Sequence, residues 1–267
     1  MYDTTYLRAT SLAEAVGWLR EHDEARPLSG GMTLIPTLKQ RLAAPSHLID
    51  LTRIDALRGI EVRGDVLRIG ALTKHAEVAG SNVVREAIPA LAHLASLIAD
   101  PQVRNRGTMG GSVANNDPAA DYPAAVLGLN AHVVTSSQRR IPADAFFIDT
   151  FETALAADEL IVAIELAIPR RAAYAKYRHP ASGYAVAGVF IAQYDDAMRV
   201  AVTGAGASVF RWFDAETALQ QNLAPAALEP LSVERDTLPD DDNASAPYRA
   251  HLIETYTRRA LQALLAS

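Results

Sequence analysis

The chain has 267 residues, a formal net charge of −6 and no cysteine, and 49% of its residues are apolar. That apolar share supports a substantial core, in one large domain or in two or three smaller ones. The acidic balance disfavours a nucleic acid or an anionic membrane as partner, and the lack of thiols excludes disulfides, zinc–thiolate sites and iron–sulfur clusters held by this chain.

Ser11 caps a first helix, with Glu14 at the capping-box position and Leu12, Ala15, Val16 and Leu19 on one face. Arg26 to Leu34 reads as a strand end followed by a glycine turn, and a short helix carrying Leu38 and Leu42 comes next. His47 to Leu51 reads as a buried strand. Ile60–Val62 and Val66–Ile69 flank the turn Arg63-Gly64-Asp65 as a hairpin. A helical region opens at Leu72 with Thr73 as its cap, and a stronger helix starts at Pro89, where the missing N–H costs nothing.

Further on, Asp117 is placed to cap a helix opening at Pro118 and running through Ala124 and Val126. His132–Thr135 and Leu160–Leu166 read as strands. After Pro169-Arg170-Arg171 the character changes, which puts a boundary near residue 172. Tyr184–Gln193 and Arg199–Val209 read as paired long strands. The acidic loop Pro239–Asn243 precedes a last helix that starts at Ser245 and Pro247 and has an apolar face of Leu252, Ile253, Tyr256, Ala260, Leu261 and Leu264. No apolar run reaches the ~18 residues needed to span a bilayer. Met1 to Ser11 shows no secretory pattern, and the cysteine-free composition fits a cytoplasmic protein.

Two double-glycine segments carry the chemical signal: Ser29-Gly30-Gly31-Met32 and Thr108-Met109-Gly110-Gly111. A pyrophosphate needs several donors at close range. Backbone N–H groups supply them where glycine lets the chain curl around the anion. Either pair alone reads as an ordinary turn; two together, with Asn115, Asn116 and Asp121 beyond the second, shift the balance toward a pyrophosphate site. Asp121 can accept from the hydroxyls of a ribityl or ribose chain or be a solvated helix residue, and the pattern leaves both open. A third cluster, Gly204-Ala205-Gly206, follows a strand, but Val209 stands where a dinucleotide fingerprint needs its last glycine, and a turn is the better reading. His75 and His93 read as packed or surface residues, and His179 and Lys176 lie near the boundary. There is no phosphate-loop, His-Glu-x-x-His or nucleophile-elbow motif.

Ser29 to Leu34 resembles the "Ala-Gly-Gly-x-Ser/Thr-Leu" loop of the FAD subunits of molybdenum hydroxylases. Gln102 to Ser112, continued by Ala114 to Asp121, resembles that family's second loop. The resemblance covers nearly the whole chain. It implies an α+β fold: a two-part FAD-binding domain of the vanillyl-alcohol oxidase type over 1–172, with parts at about 1–55 and 56–172, then a small α+β domain with an antiparallel sheet over 173–267. It implies that Leu28, Ser29, Gly30, Gly31, Met32, Thr33 and Leu34, together with Thr108, Met109, Gly110, Gly111, Ser112 and Asn115, hold FAD around its pyrophosphate. It implies that Asp121 binds the ribityl side, that Ile98 and Ile161 touch the cofactor, and that Lys176 lies near the ring system, with Tyr184 in the place of a flavin-shielding tyrosine. Many relatives have basic residues where this chain has His179 to Gly183, so contacts around the ring are least defined there.

The implied function is electron transfer within an oxidoreductase complex. A large molybdopterin subunit oxidises a small substrate, and a small subunit carries two [2Fe–2S] clusters, whose ligands this chain lacks. FAD on this chain passes the electrons to an external acceptor, in a dimer of heterotrimers. No catalytic residue is required on this chain, and none is assigned. The competing reading is an independent FAD oxidoreductase acting on its own small substrate; no His or carboxylate constellation suited to that is evident in the sequence. A scaffold subunit without a cofactor is a further alternative, against which the intact glycine segments stand.

Overall fold

A computed structural model describes all residues from Met1 to Ser267. It is an α+β chain with three main sheets and an apolar cluster behind each. The first segment runs β1 (Thr5–Arg8), α1 (Leu12–Glu21), β2 (Arg26–Leu28), α2 (Leu34–Lys39) and β3 (His47–Asp50). Its strands are parallel with β3 in the middle, because each helical crossover returns the chain in the same direction. Ser11 caps α1 as expected, with its hydroxyl accepting from the Glu14 N–H. α2 stops at Lys39, and Leu42 lies beyond it, 72% exposed.

The middle segment runs β4 (Ile60–Arg63), β5 (Val66–Gly70), α3 (His75–Gly80), α4 (Asn82–Ala87), α5 (Pro89–Ser96), α6 (Pro101–Arg104), α7 (Met109–Asn115), α8 (Tyr122–Gly128), β6 (His132–Thr135), β7 (Arg140–Pro142), β8 (Phe147–Asp149), β9 (Glu152–Thr153) and β10 (Ile161–Ala167). β4-β5-β10-β6-β7 form one antiparallel sheet, and β8 and β9 pair as a separate hairpin. Two helix starts differ from the sequence expectation. α3 begins at His75 under Lys74, whose N–H donates to Glu77, while Thr73 is buried and its carbonyl accepts from Met109 N–H. α8 begins at Tyr122 under Asp121 rather than at Pro118. The carbonyls a longer helix would need are taken: Thr203 donates to Pro118 and Ala120, and Gly204 N–H donates to Pro118. Asp117 instead closes a turn onto the Ala119 N–H.

The last segment runs β11 (Arg171–Arg178), β12 (Ala185–Gln193), β13 (Met198–Thr203), β14 (Phe210–Arg211), α9 (Phe213–Gln221) and α10 (Ala246–Leu265), with the four strands in one antiparallel sheet. β11 has no counterpart in the sequence reading, and β13 ends six residues earlier than Val209. Gly204 ends it, with a left-handed φ of 85° and the Ala185 carbonyl where a Cβ would go. The Gly204–Gly206 cluster is thus a turn inside an antiparallel sheet, held by Arg249 donating to the Gly204 carbonyl at 2.8 Å. Tyr174, Phe190, Ala192 and Ala201 on one face of the sheet join the core of the middle segment, whereas Val189, Ile191, Val200 and Val202 pack with α9 and α10. Arg199 ties the same two parts together through the Leu127 carbonyl and the Asp144 carboxylate. No helix is long and apolar enough to cross a membrane.

Glu159 clamps the edge of the middle sheet. Its buried carboxylate accepts from Arg139, Thr135 and the Ala156 N–H, and these bonds, Arg139's first, hold it at about 2, against an ordinary 4.5. The folded carboxyl titrates below its unfolded value, so its stabilisation is complete above pH 4.5 and is lost as the pH falls toward 2. With screening around the half-exposed Arg139, the loss is about 2 kcal/mol. In denaturant titrations across that window, Glu159→Gln flattens the pH dependence of the unfolding free energy by this amount; an unchanged slope contradicts the assignment.

Candidate functional site

One large cleft, of about 880 Å³, lies where the three segments meet. It is near the upper end of the ~300–1,000 Å³ typical of ligand sites, which suits a large cofactor. Of the residues named from the sequence, Leu28 to Leu34, Ile98, Thr108, Gly110, Gly111, Ser112, Asn115, Asp121 and Ile161 line it. Tyr184 stands on its wall, 41% exposed.

The two glycine segments touch each other, and glycine is what permits it. A Cβ on Gly30 would lie 2.2 Å from the Arg106 carbonyl oxygen, and Thr108 Oγ1 donates to Ser29 Oγ at 3.2 Å. Gly31 has a left-handed φ of 72°. A Cβ on Gly110 would meet Ala71 at 2.5 Å, and one on Gly111 would meet Ser29 Oγ at 2.8 Å.

The segments differ in the donors they leave free. In the first, the N–H groups of Ser29, Gly30, Gly31, Met32 and Thr33 have no acceptor within the protein. Consecutive unpaired N–H groups in a tight turn form a concavity suited to an anion. The second segment is not an open loop but the start of α7, capped by Thr108 on the Gly111 N–H. There Met109 N–H donates to Thr73 and Gly110 N–H to Ala71, both at 2.9 Å. Met109 itself is a core side chain, 0% exposed and absent from the cleft wall. The second segment therefore contributes mainly hydroxyls and a close-packed backbone.

Asp121 is 4% exposed at the head of α8, not on a solvated helix face. Tyr174 Oη donates to it at 2.5 Å and Lys176 Nζ lies 2.8 Å away. Burial pushes its carboxyl up, while the Lys176 ammonium and the two hydrogen bonds hold it down. Lys176 is placed differently from its sequence expectation: its side chain is 2% exposed, it is spent on Asp121 and the Gly183 carbonyl, and it is not part of the cleft wall. Sequence reading missed Tyr174, although its spacing from Lys176 puts both on one face of a strand. It also missed His75 and Phe151, which line the cleft through long-range folding that no local pattern signals.

These residues fit a dinucleotide: free amides and hydroxyls for a pyrophosphate, a carboxylate for a polyol, and apolar Ile98 and Ile161 for ring surfaces. Comparison with known proteins gives the class a family. Residues 2–170 match the FAD binding domain in molybdopterin dehydrogenase. The chain is 41% identical over 192 residues to the carbon monoxide dehydrogenase medium chain of Hydrogenophaga pseudoflava, covering 68% of this chain and 66% of that one. It is 32% identical to the glyceraldehyde dehydrogenase medium chain of Sulfolobus acidocaldarius, over 97% of each. Among solved structures, a carbon monoxide dehydrogenase from Hydrogenophaga pseudoflava that lacks the Mo-pyranopterin moiety of its molybdenum cofactor superposes with a TM-score of 0.89 at 34% identity, covering 98% of this chain and 97% of that one. The chain belongs to the family of FAD-binding domains of molybdopterin dehydrogenases, which are oxidoreductases.

Two outcomes test this geometry. Gly30→Ala forces the two segments apart, with a stability loss of about 1–3 kcal/mol and weakened FAD retention, read by denaturation and by flavin absorbance after gel filtration. Lys176→Met strands the buried Asp121 carboxylate and costs about 3–5 kcal/mol in urea unfolding, and most of it returns in Lys176→Met/Asp121→Asn. A single variant as stable as the parent contradicts the pairing.

Proposed function

We propose that this chain is the FAD-holding electron-transfer subunit of a molybdenum hydroxylase complex. The observation that carries this reading is the run of unpaired N–H groups from Ser29 to Thr33, facing a cleft that also contains Asp121. In this reading the first glycine segment binds the FAD pyrophosphate, with help from Thr108 and Ser112. Asp121, kept in place by Lys176 and Tyr174, accepts from the ribityl hydroxyls, and Ile98 and Ile161 cover ring surface. Flavin supplies the ability to take up and give out one or two electrons, while the protein supplies binding, orientation and electrostatics. FAD binding occupies residues 1–172, and residues 173–267 form the second domain, which contributes Tyr184 to the cleft wall and Lys176 behind Asp121.

The absence of cysteine means that any iron–sulfur cluster feeding this flavin is on another chain. The names of the relatives as medium chains support an assembly with a large molybdopterin subunit and a small iron–sulfur subunit.

The purified chain is expected to carry, or take up, one flavin, and Asp121→Ala to weaken FAD at least ~10-fold, the scale of a charge-assisted hydrogen bond. Small organic substrates alone leave its flavin oxidised, while the chains that co-purify with it allow reduction. A chain that takes up no flavin, or one reduced by a small substrate without partners, overturns the proposal.

A further inference from the structure

Only two buried side-chain polar atoms in the chain lack a hydrogen-bond partner: His75 Nδ1 and Tyr122 Oη. They belong to neighbouring rings, with centroids 5.3 Å apart and planes tilted by 49°. Tyr122 is fully buried and His75 is 5% exposed. Two such groups side by side are improbable as independent defects, because each one costs the free energy of its desolvation. They do not bond each other directly, and one water placed between them would satisfy both.

The His75 backbone N–H donates to the Gly107 carbonyl at 3.0 Å, and the ring packs against the same residue, with Nε2 2.5 Å from where a Gly107 Cβ would be. Gly107 is therefore a glycine because the ring occupies that space. His75 lines the same cleft as Ile98 and Thr108.

We propose that Tyr122 and His75 form a water-bridged relay that fixes the histidine as a neutral Nε2–H donor toward an acceptor atom of the bound flavin nucleotide. This rests on the FAD reading above. The direction follows from the chemistry of the pair. A tyrosine hydroxyl in an apolar site stays protonated and donates to the water, and the water donates to Nδ1 as acceptor. The ring proton is then left on Nε2, the nitrogen that packs against Gly107 of the cleft wall. Burial, then the Arg104 charge, pushes the imidazole down to about 4, so the ring is uncharged at neutral pH. His75 is in this account a cofactor-binding residue, and Tyr122 a positioning residue that acts through it.

The test is ¹⁵N-histidine NMR on the full chain with FAD, at neutral pH, alongside FAD titrations followed by flavin fluorescence. The expected spectrum for His75 is the neutral Nε2–H tautomer in the unsubstituted protein. Tyr122→Phe shifts the tautomer signal toward a mixture, which a purely structural role for the hydroxyl would not do. His75→Leu raises the FAD Kd roughly five- to tenfold, the scale of one lost hydrogen bond in a desolvated site. His75→Gln, whose amide can donate near the Nε2 position, restores it to within about twofold. An Nδ1–H tautomer or an imidazolium in the FAD-loaded protein overturns the proposal, as does His75→Leu binding FAD like the parent. Failure of the unsubstituted chain to bind FAD overturns the FAD reading instead, and the two results are distinguishable in the same titration.

Discussion

Backbone contact between Gly30 and the Arg106–Gly107 peptide is the constraint on which the cleft depends. At 2.2 Å from the Arg106 carbonyl, the space for a Cβ does not exist, so two segments 76 residues apart can meet only as glycine on peptide. That contact brings the parallel sheet of the first segment against the helices of the middle one. It turns the Ser29–Thr33 amides toward the cavity and leaves Ser29 and Thr108 hydroxyls bonded across the seam. His75 reinforces the same seam by filling the space beside Gly107.

The third segment is held to the middle one by buried charge as well as by apolar packing. Asp121 heads α8, and its partners Tyr174 and Lys176 come from β11. Arg199 performs a similar task lower down, joining β13 to α8 and Asp144. A carboxylate this deeply buried is costly unless it is paired, so losing one partner is far worse than replacing both with uncharged groups. The same pairing orients Asp121 on the cleft wall, which it shares with Asp100 and Asp117. In the proposed reading, structural cohesion and cofactor recognition therefore share a residue.

Much of the outline was legible locally. Ser11, Pro89 and the apolar face from Leu252 to Leu264 mark helices because caps and 3.6-residue periodicity are properties of neighbouring residues. The hairpin at Arg63-Gly64-Asp65 is legible for the same reason. The misplaced starts of α3 and α8 come from competition at a distance. Thr73 is taken into the core, and the Pro118 and Ala120 carbonyls are claimed by Thr203 and Gly204, 83 or more residues along the chain. Lys176 shows the same limit: its charge was visible, but its partner was not.

The amino-acid sequence by itself determined that any thiol-bound redox centre lies elsewhere, and that two glycine pairs set the chain apart as resembling a family of FAD-binding subunits. Composition and glycine's conformational freedom are local properties and need no fold to express. The tertiary structure alone decided which glycines supply donors and which supply proximity. Whether an amide is free depends on what packs against it: Ala71 and Thr108 take the amides of the second pair, and nothing takes those of the first.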